Sequence, residues 1–195
     1  TLWTKAFGQT GFSSEGYSVQ QTSDGGYIIT GNYGSGRLVL IKTDSLGNEQ
    51  WNRIIGGPYK DGGGSVIQTS DGAYVFCGGY SYYQPTSSTV FSKAWIVKLD
   101  SNGNTVWDKK YGPIRKFSNL WNINELSDGS FIATGQRFDT SSLLDASVGH
   151  GVGFVVKIGA NGDSIWYRMY DILQGQYSHN YLRHIQPTKD GGFIA

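Results

Sequence analysis

Residues 18–31 read Ser-Val-Gln-Gln-Thr-Ser-Asp-Gly-Gly-Tyr-Ile-Ile-Thr-Gly, and the chain repeats this stretch. Asp24-Gly25 returns as Asp71-Gly72, Asp128-Gly129 and Asp190-Gly191. Five residues before each Asp stands Val19, Val66, Ile123 or Ile185, and three after it Tyr27, Tyr74, Phe131 or Phe193. Gly31, Gly78 and Gly135 share one offset, seven past the Asp. A Ser-Asp-Gly turn between two short apolar segments predicts a hairpin, because its backbone needs φ > 0 and glycine supplies that freely.

Working outward, an apolar run ends in lysine at Lys42, Lys98 and Lys157, and a tryptophan follows nine residues later, at Trp51, Trp107 and Trp166. Trp3 heads the series. Between lysine and tryptophan lie Gly47-Asn48, Gly103-Asn104 and Gly162-Asp163, which predict a second, longer hairpin loop. Leu38-Val39-Leu40-Ile41 and Trp95-Ile96-Val97 are apolar on both faces, as a strand covered on both sides should be. Tyr17–Thr22, Gly26–Gly31, Leu38–Thr43 and Gln50–Ile55 therefore read as four short strands, and no helical period appears.

Four antiparallel strands recurring every 48 to 59 residues, from Trp3 to Trp51, Trp107 and Trp166, predict an all-β protein. They match a β-propeller of four-stranded antiparallel blades, in which each thin sheet must stack on its neighbours. Residues 1–195 are read as one propeller domain or fragment. It is incomplete in this chain, with three full blades plus partial ones: an outer strand at Leu2–Phe7 and a fourth blade from Tyr181. The missing blades are expected from a longer protein or from another chain, since closed propellers take about four to eight.

The pattern of residues 18–31, then Ile41-Lys42-Thr43-Asp44, Gly47-Asn48 and Trp51, resembles the repeats of secreted or surface β-propeller proteins of bacteria and archaea, common among exported proteins of Bacteroidota. The resemblance covers essentially the whole chain. It implies a propeller and an extracellular or cell-surface address, and no defined activity. The third unit departs from it, with Gly159 where Asp44 and Asp100 stand and Leu126 where Thr22 stands.

Composition agrees with short strands and tight turns. Glycine, at 29 of 195 residues, is about twice ordinary usage. Aromatics reach 14%, while charged residues are only 16%, which is not a disordered composition. The net charge is +1 with both signs interspersed, so no basic face points to nucleic acid. No apolar run approaches the roughly 18 residues of a membrane-spanning helix. Cys77 is the single cysteine, so it forms no internal disulfide, and its apolar surroundings predict a buried, inert thiol.

Variation separates scaffold from candidate site. Lysine to tryptophan is always nine residues, whereas the repeat glycine to lysine grows from Gly31–Lys42 to Gly78–Lys98 and Gly135–Lys157. The added length falls between the second and third strands. In an antiparallel sheet these loops share one face with the connections between units, and both tight hairpins lie on the other. Binding residues concentrate on variable loops over a rigid scaffold. The candidates on that face are Tyr82, Tyr83 and Phe91; Arg115, Lys116 and Phe117; Arg137, Phe138 and His150; and Tyr177 and His179. The connection Pro58-Tyr59-Lys60-Asp61 lies there too. Tyr, Arg and Phe anchor protein interfaces, and tyrosine also stacks on sugars. The alternative is that these aromatics pack their own loops.

Catalytic signatures are sparse. His150, His179 and His184 lack zinc-ligand spacing, and no cofactor is expected. Asp44 and Asp100 loops put oxygens at alternate positions but lack a calcium loop's distal carboxylate; a turn role is expected for both, and for the repeated Asp24, Asp71, Asp128 and Asp190. A glycosidase needs two carboxylates, and among Glu15, Glu49 and Glu125 only Glu125 lies on an inner strand. The reading is a non-catalytic extracellular propeller module that binds a protein or glycan through its loop face. Alternatives are a propeller-fold polysaccharide hydrolase or lyase, and a structural subunit of a larger surface assembly.

Overall fold

The computed structural model describes residues 3–8, 11, 13–33, 37–57, 59, 61–83, 90–112, 117–139, 150–171 and 180–195. These residues are all-β. The strands are β1 (Glu15–Gln21), β2 (Tyr27–Tyr33), β3 (Arg37–Thr43), β4 (Glu49–Ile55), β5 (Gly62–Gln68), β6 (Tyr74–Tyr83) and β7 (Val90–Leu99). There follow β8 (Thr105–Tyr111), β9 (Phe117–Glu125), β10 (Phe131–Asp139), β11 (His150–Ile158), β12 (Ser164–Tyr170), β13 (Gln186–Pro187) and β14 (Phe193–Ile194).

Within each unit consecutive strands pair antiparallel. β1-β2-β3-β4 form a four-stranded sheet, the first unit. β5 to β8 and β9 to β12 pair in the same order, as the second and third units, and β13-β14 start a fourth. Two expectations are corrected. The second and third units are not separate four-stranded sheets: a parallel bridge at Ser92 and Phe117 joins β7 to β9, making one eight-stranded sheet, and the described strands close no ring. The rings of Phe91 and Phe117, 5.5 Å apart, hold the strands together at that bridge. Leu2–Phe7 was expected as an outer strand, yet residues 3–7 carry no ladder, because no described strand runs beside them. Trp3 instead docks by its ring on Tyr27 at 5.7 Å and by its indole N–H on the Ser45 carbonyl at 3.1 Å.

Each repeated residue type has one recurring job. The Asp of the first hairpin accepts its own turn's N–H groups and the repeat lysine. Asp24 takes the Lys42 ammonium at 2.8 Å, Asp71 takes Lys98 at 2.8 Å and Asp128 takes Lys157 at 3.1 Å. The first hairpin is thus tied to the third strand. Lys42 is buried, and its three donors are spent on Asp24, the Thr43 carbonyl and Gln50 Oε1, which meets the condition for burying a cation. Hydrogen bonds from the lysine and from Thr22 or Thr69 hold Asp24 and Asp71 at about 2, and bonds from Ser130 and Lys157 do the same for Asp128. Because these folded-state values lie below the ordinary 3.8, the stabilisation is present above about pH 4 and is lost as pH falls toward 2. Urea midpoints should drop across that window. Asp71→Asn should lower the plateau and flatten the slope; an unchanged slope would mean the ties contribute nothing to stability.

The repeat glycine answers a different demand. The first strand of each unit is bulged, with its register shifting between Gly16 and Ser18, between Gly63 and Val66, and between Leu120 and Asn122. Beside each bulge the first strand's backbone crowds the second. A Cβ on Gly31 would overlap the Glu15 carbonyl oxygen, on Gly78 that of Gly62, and on Gly135 that of Asn119. Bulges re-aim side chains: Tyr17 lays its ring over Gly63 of the next unit, and Trp121 meets Tyr181 at 5.9 Å.

The units stack through both faces of their inner strands. Ile28, Leu38 and Leu40 of the first unit cluster with Tyr74, Phe76 and Trp95 of the second. On the alternate residues, Val75, Cys77 and Ile96 cluster with Leu120, Phe131 and Phe154 of the third. Ile132 and Val155 then meet Ile185 of the fourth. The repeated tryptophan lies on the last strand of one unit and packs against the second-strand aromatic of the next. Trp51 meets Tyr74 at 5.7 Å and Trp107 meets Phe131 at 6.4 Å, both edge-on, a favoured geometry for rings, and Trp166 meets Phe193 at 6.4 Å with the rings tilted by 57°. That contact is why the two aromatics recur together.

Candidate functional site

The connection from β4 to β5 is fixed by a buried carboxylate. Asp61 is 1% exposed and accepts the N–H of Gly57 at 2.8 Å and of Ser81 at 2.7 Å. Burial raises its pKa, opposed by those two hydrogen bonds. Gly56 has φ +110°, and a Cβ there would overlap the Asp61 carboxylate. Glycine is required at this corner. Tyr59, on this anchored connection, lies 6.3 Å from Tyr83 at the end of β6, with their planes tilted by 33°. Tyr59 is 37% and Tyr83 44% exposed. The contact brings the β4–β5 connection beside the end of β6, and it presents two rings to solvent on a rigid base.

The other candidates divide. Tyr82, Phe91 and Phe117 form a run of rings, with centroids 6.1 and 5.5 Å apart, and Lys93 lies 5.9 Å from the Tyr82 ring. Phe91 is buried; it packs between units and offers no exposed surface, contrary to its selection as a binding residue. Phe117 and Tyr82 share that packing role and are half-buried. Arg137 and Phe138 lie near the end of β10, both half-buried, with Phe138 opposite Phe117 in register. His150 opens β11 opposite Asp139. Arg115, Lys116, Tyr177 and His179 lie outside the described residues.

Glu125, the one candidate catalytic carboxylate, has both oxygens engaged across units. It accepts the Ser70 N–H at 2.7 Å and the Ser70 hydroxyl at 3.0 Å. Gln68, its counterpart one unit earlier, accepts the Ser23 N–H at 2.7 Å. Both side chains clasp the preceding unit's hairpin, a shared role that sequence alone did not reveal. Asp44 and Asp100 likewise bond their own loops, each accepting the N–H of the residues two and four ahead. Among the described residues no three His, Cys, Asp or Glu side chains gather. Cys77 is fully buried, and desolvation pushes its thiol up to about 12, so it is no nucleophile at neutral pH.

Neither a family model nor a curated protein matches the chain. Among solved structures it is similar to a protein of unknown function from Bacteroides caccae, at 12% identity and a TM-score of 0.47 over 90% of this chain and 73% of that one. It is also similar to a eukaryotic initiation factor, at 12% identity and a TM-score of 0.49 over 86% of this chain. It spans only 35% of that second protein. Likenesses of this degree carry neither activity nor partner to this chain.

Proposed function

We propose that the chain is a non-catalytic β-propeller module of the bacterial cell surface, which binds a protein or glycan through the face carrying its variable loops. In this reading each four-strand unit is a blade. The first strands of its units, β1, β5 and β9, lie against one another in sequence, as strands around a common axis would, and successive units share cores. The export address rests on the resemblance of the repeats.

The observation that carries the binding reading is the tyrosine pair. Exposed aromatics cost free energy in water unless something covers them, and Tyr59 and Tyr83 are held there by the buried Asp61 support rather than folded away. Such rings give large contact area at little entropic cost on binding. The engaged oxygens of Glu125 count against the hydrolase reading. A glycan array and an immobilised panel of surface proteins should be probed with wild type and with Tyr59→Ala/Tyr83→Ala. The double variant should lose roughly thirtyfold in affinity for the partner found, with stability changed by no more than about 0.5 kcal/mol. Equal binding by the variant would overturn the reading of this face.

A further inference from the structure

We propose that the cavity between the end of β8 and the β10–β12 face binds a small organic carboxylate with an aromatic or aliphatic body, through the guanidinium of Arg137. The cavity measures about 360 Å³, within the range of small-molecule sites. Its walls are mostly apolar, from Tyr111, Phe154, Val156 and Tyr167, and its polar side chains include Arg137 and Ser164.

Strand alternation puts Arg137 in the row of Phe131 and Ala133, which face the second unit. A cation therefore stands where the row would otherwise continue apolar. Its Nη1 donates only to the Met169 sulfur, at 3.6 Å, a poor acceptor. Its Nε is buried with no partner, and among the described residues Nη2 donates to no group. Among the described residues no carboxylate is within ion-pair reach. The acidic groups whose fields reach Tyr111 are already engaged, Asp163 by Lys109 at 3.1 Å and Asp108 by Lys110 at 2.7 Å. The Nε–Nη2 edge is the parallel two-donor fork that matches a carboxylate. A buried orphan donor on a cation is costly, and a ligand carboxylate supplies the missing acceptors while its body fills the apolar walls. The chemistry selects an anion over a neutral molecule of the same shape.

Phenylacetate is the probe, read by saturation-transfer NMR and titration calorimetry, with phenylacetamide as the neutral isostere. Phenylacetate should bind wild type at millimolar concentrations or below. Phenylacetamide should bind about tenfold or more weakly, the loss expected of a charged hydrogen-bond pair. Arg137→Gln should abolish the preference for the acid while circular dichroism stays native. If that variant does not fold, Arg137→Lys decides, because it keeps the charge and lacks the fork; the preference should then shrink. Tyr59→Ala/Tyr83→Ala should bind phenylacetate as wild type does, so this site and the loop-face reading fail separately. No binding of the acid, equal binding of acid and amide, or a preference unaltered in the Arg137 variants would each overturn the proposal.

Discussion

Trp95→Ala should lower the unfolding free energy by about 4 kcal/mol, the range found when large aromatic side chains are removed from cores. Trp95 is 2% exposed and is the largest fully buried side chain among the described residues. Its ring packs edge-on against Phe76 and Tyr80, both at 5.5 Å, in the cluster that joins the first unit to the second. Its indole N–H donates to Asp108 at 2.7 Å, and the Lys110 ammonium lies 5.7 Å from the ring. Alanine removes the rings' partner, opens a cavity and takes a donor from Asp108. Trp95→Phe separates these terms: it keeps most of the apolar contact and loses the indole donor, so about 1–2 kcal/mol should go. Urea unfolding of both variants gives the comparison. A loss below about 1 kcal/mol for alanine would show that the contact between units is not what holds them together.

Gly135→Ala should cost about 3 kcal/mol or more, or prevent folding, because the added methyl meets backbone rather than a side chain that could turn away. Its Cβ would overlap the Asn119 carbonyl oxygen and crowd Leu120 Cα. Relief would require the bulge in β9 to unwind, and with it the placement of Trp121 against the fourth unit. Gly129→Ala is the control. Gly129 has φ +76° and open space where its Cβ would be, so alanine there should cost only the left-handed penalty of about 1–2 kcal/mol. Thermal unfolding of the two single variants tests the difference. Equal costs would mean that the repeat glycine is kept for its backbone freedom and not for the close approach.

Legibility in the sequence followed locality and repetition. The hairpins, the strand order and the turn role of the Asp residues could be read because each depends on neighbours a few positions away and recurs unit after unit. The tie from Asp71 to Lys98 spans 27 positions and was not read from the sequence, although both partners recur in each complete unit. Asp61 and Glu125 were opaque for the opposite reason: what they do depends on Ser81 and Ser70, distant groups that no spacing rule connects to them. Phe91 was selected as an exposed loop aromatic and is buried, because β7 begins one residue before it and turns its ring toward Phe117. The exposed member of that region is Tyr83, and its neighbour Tyr59 came from a connection that sequence could name but not aim.

The pairing of each tryptophan with the aromatic of the following unit has a consequence for how such chains grow. Each of the three complete units carries the donor half of the contact on its last strand and the receiving half on its second. A duplicated unit therefore inserts between existing ones with both halves already matched, and an inverted one fits neither neighbour. Gene duplication can lengthen the array without redesigning any junction, while selection remains free to diversify the loops.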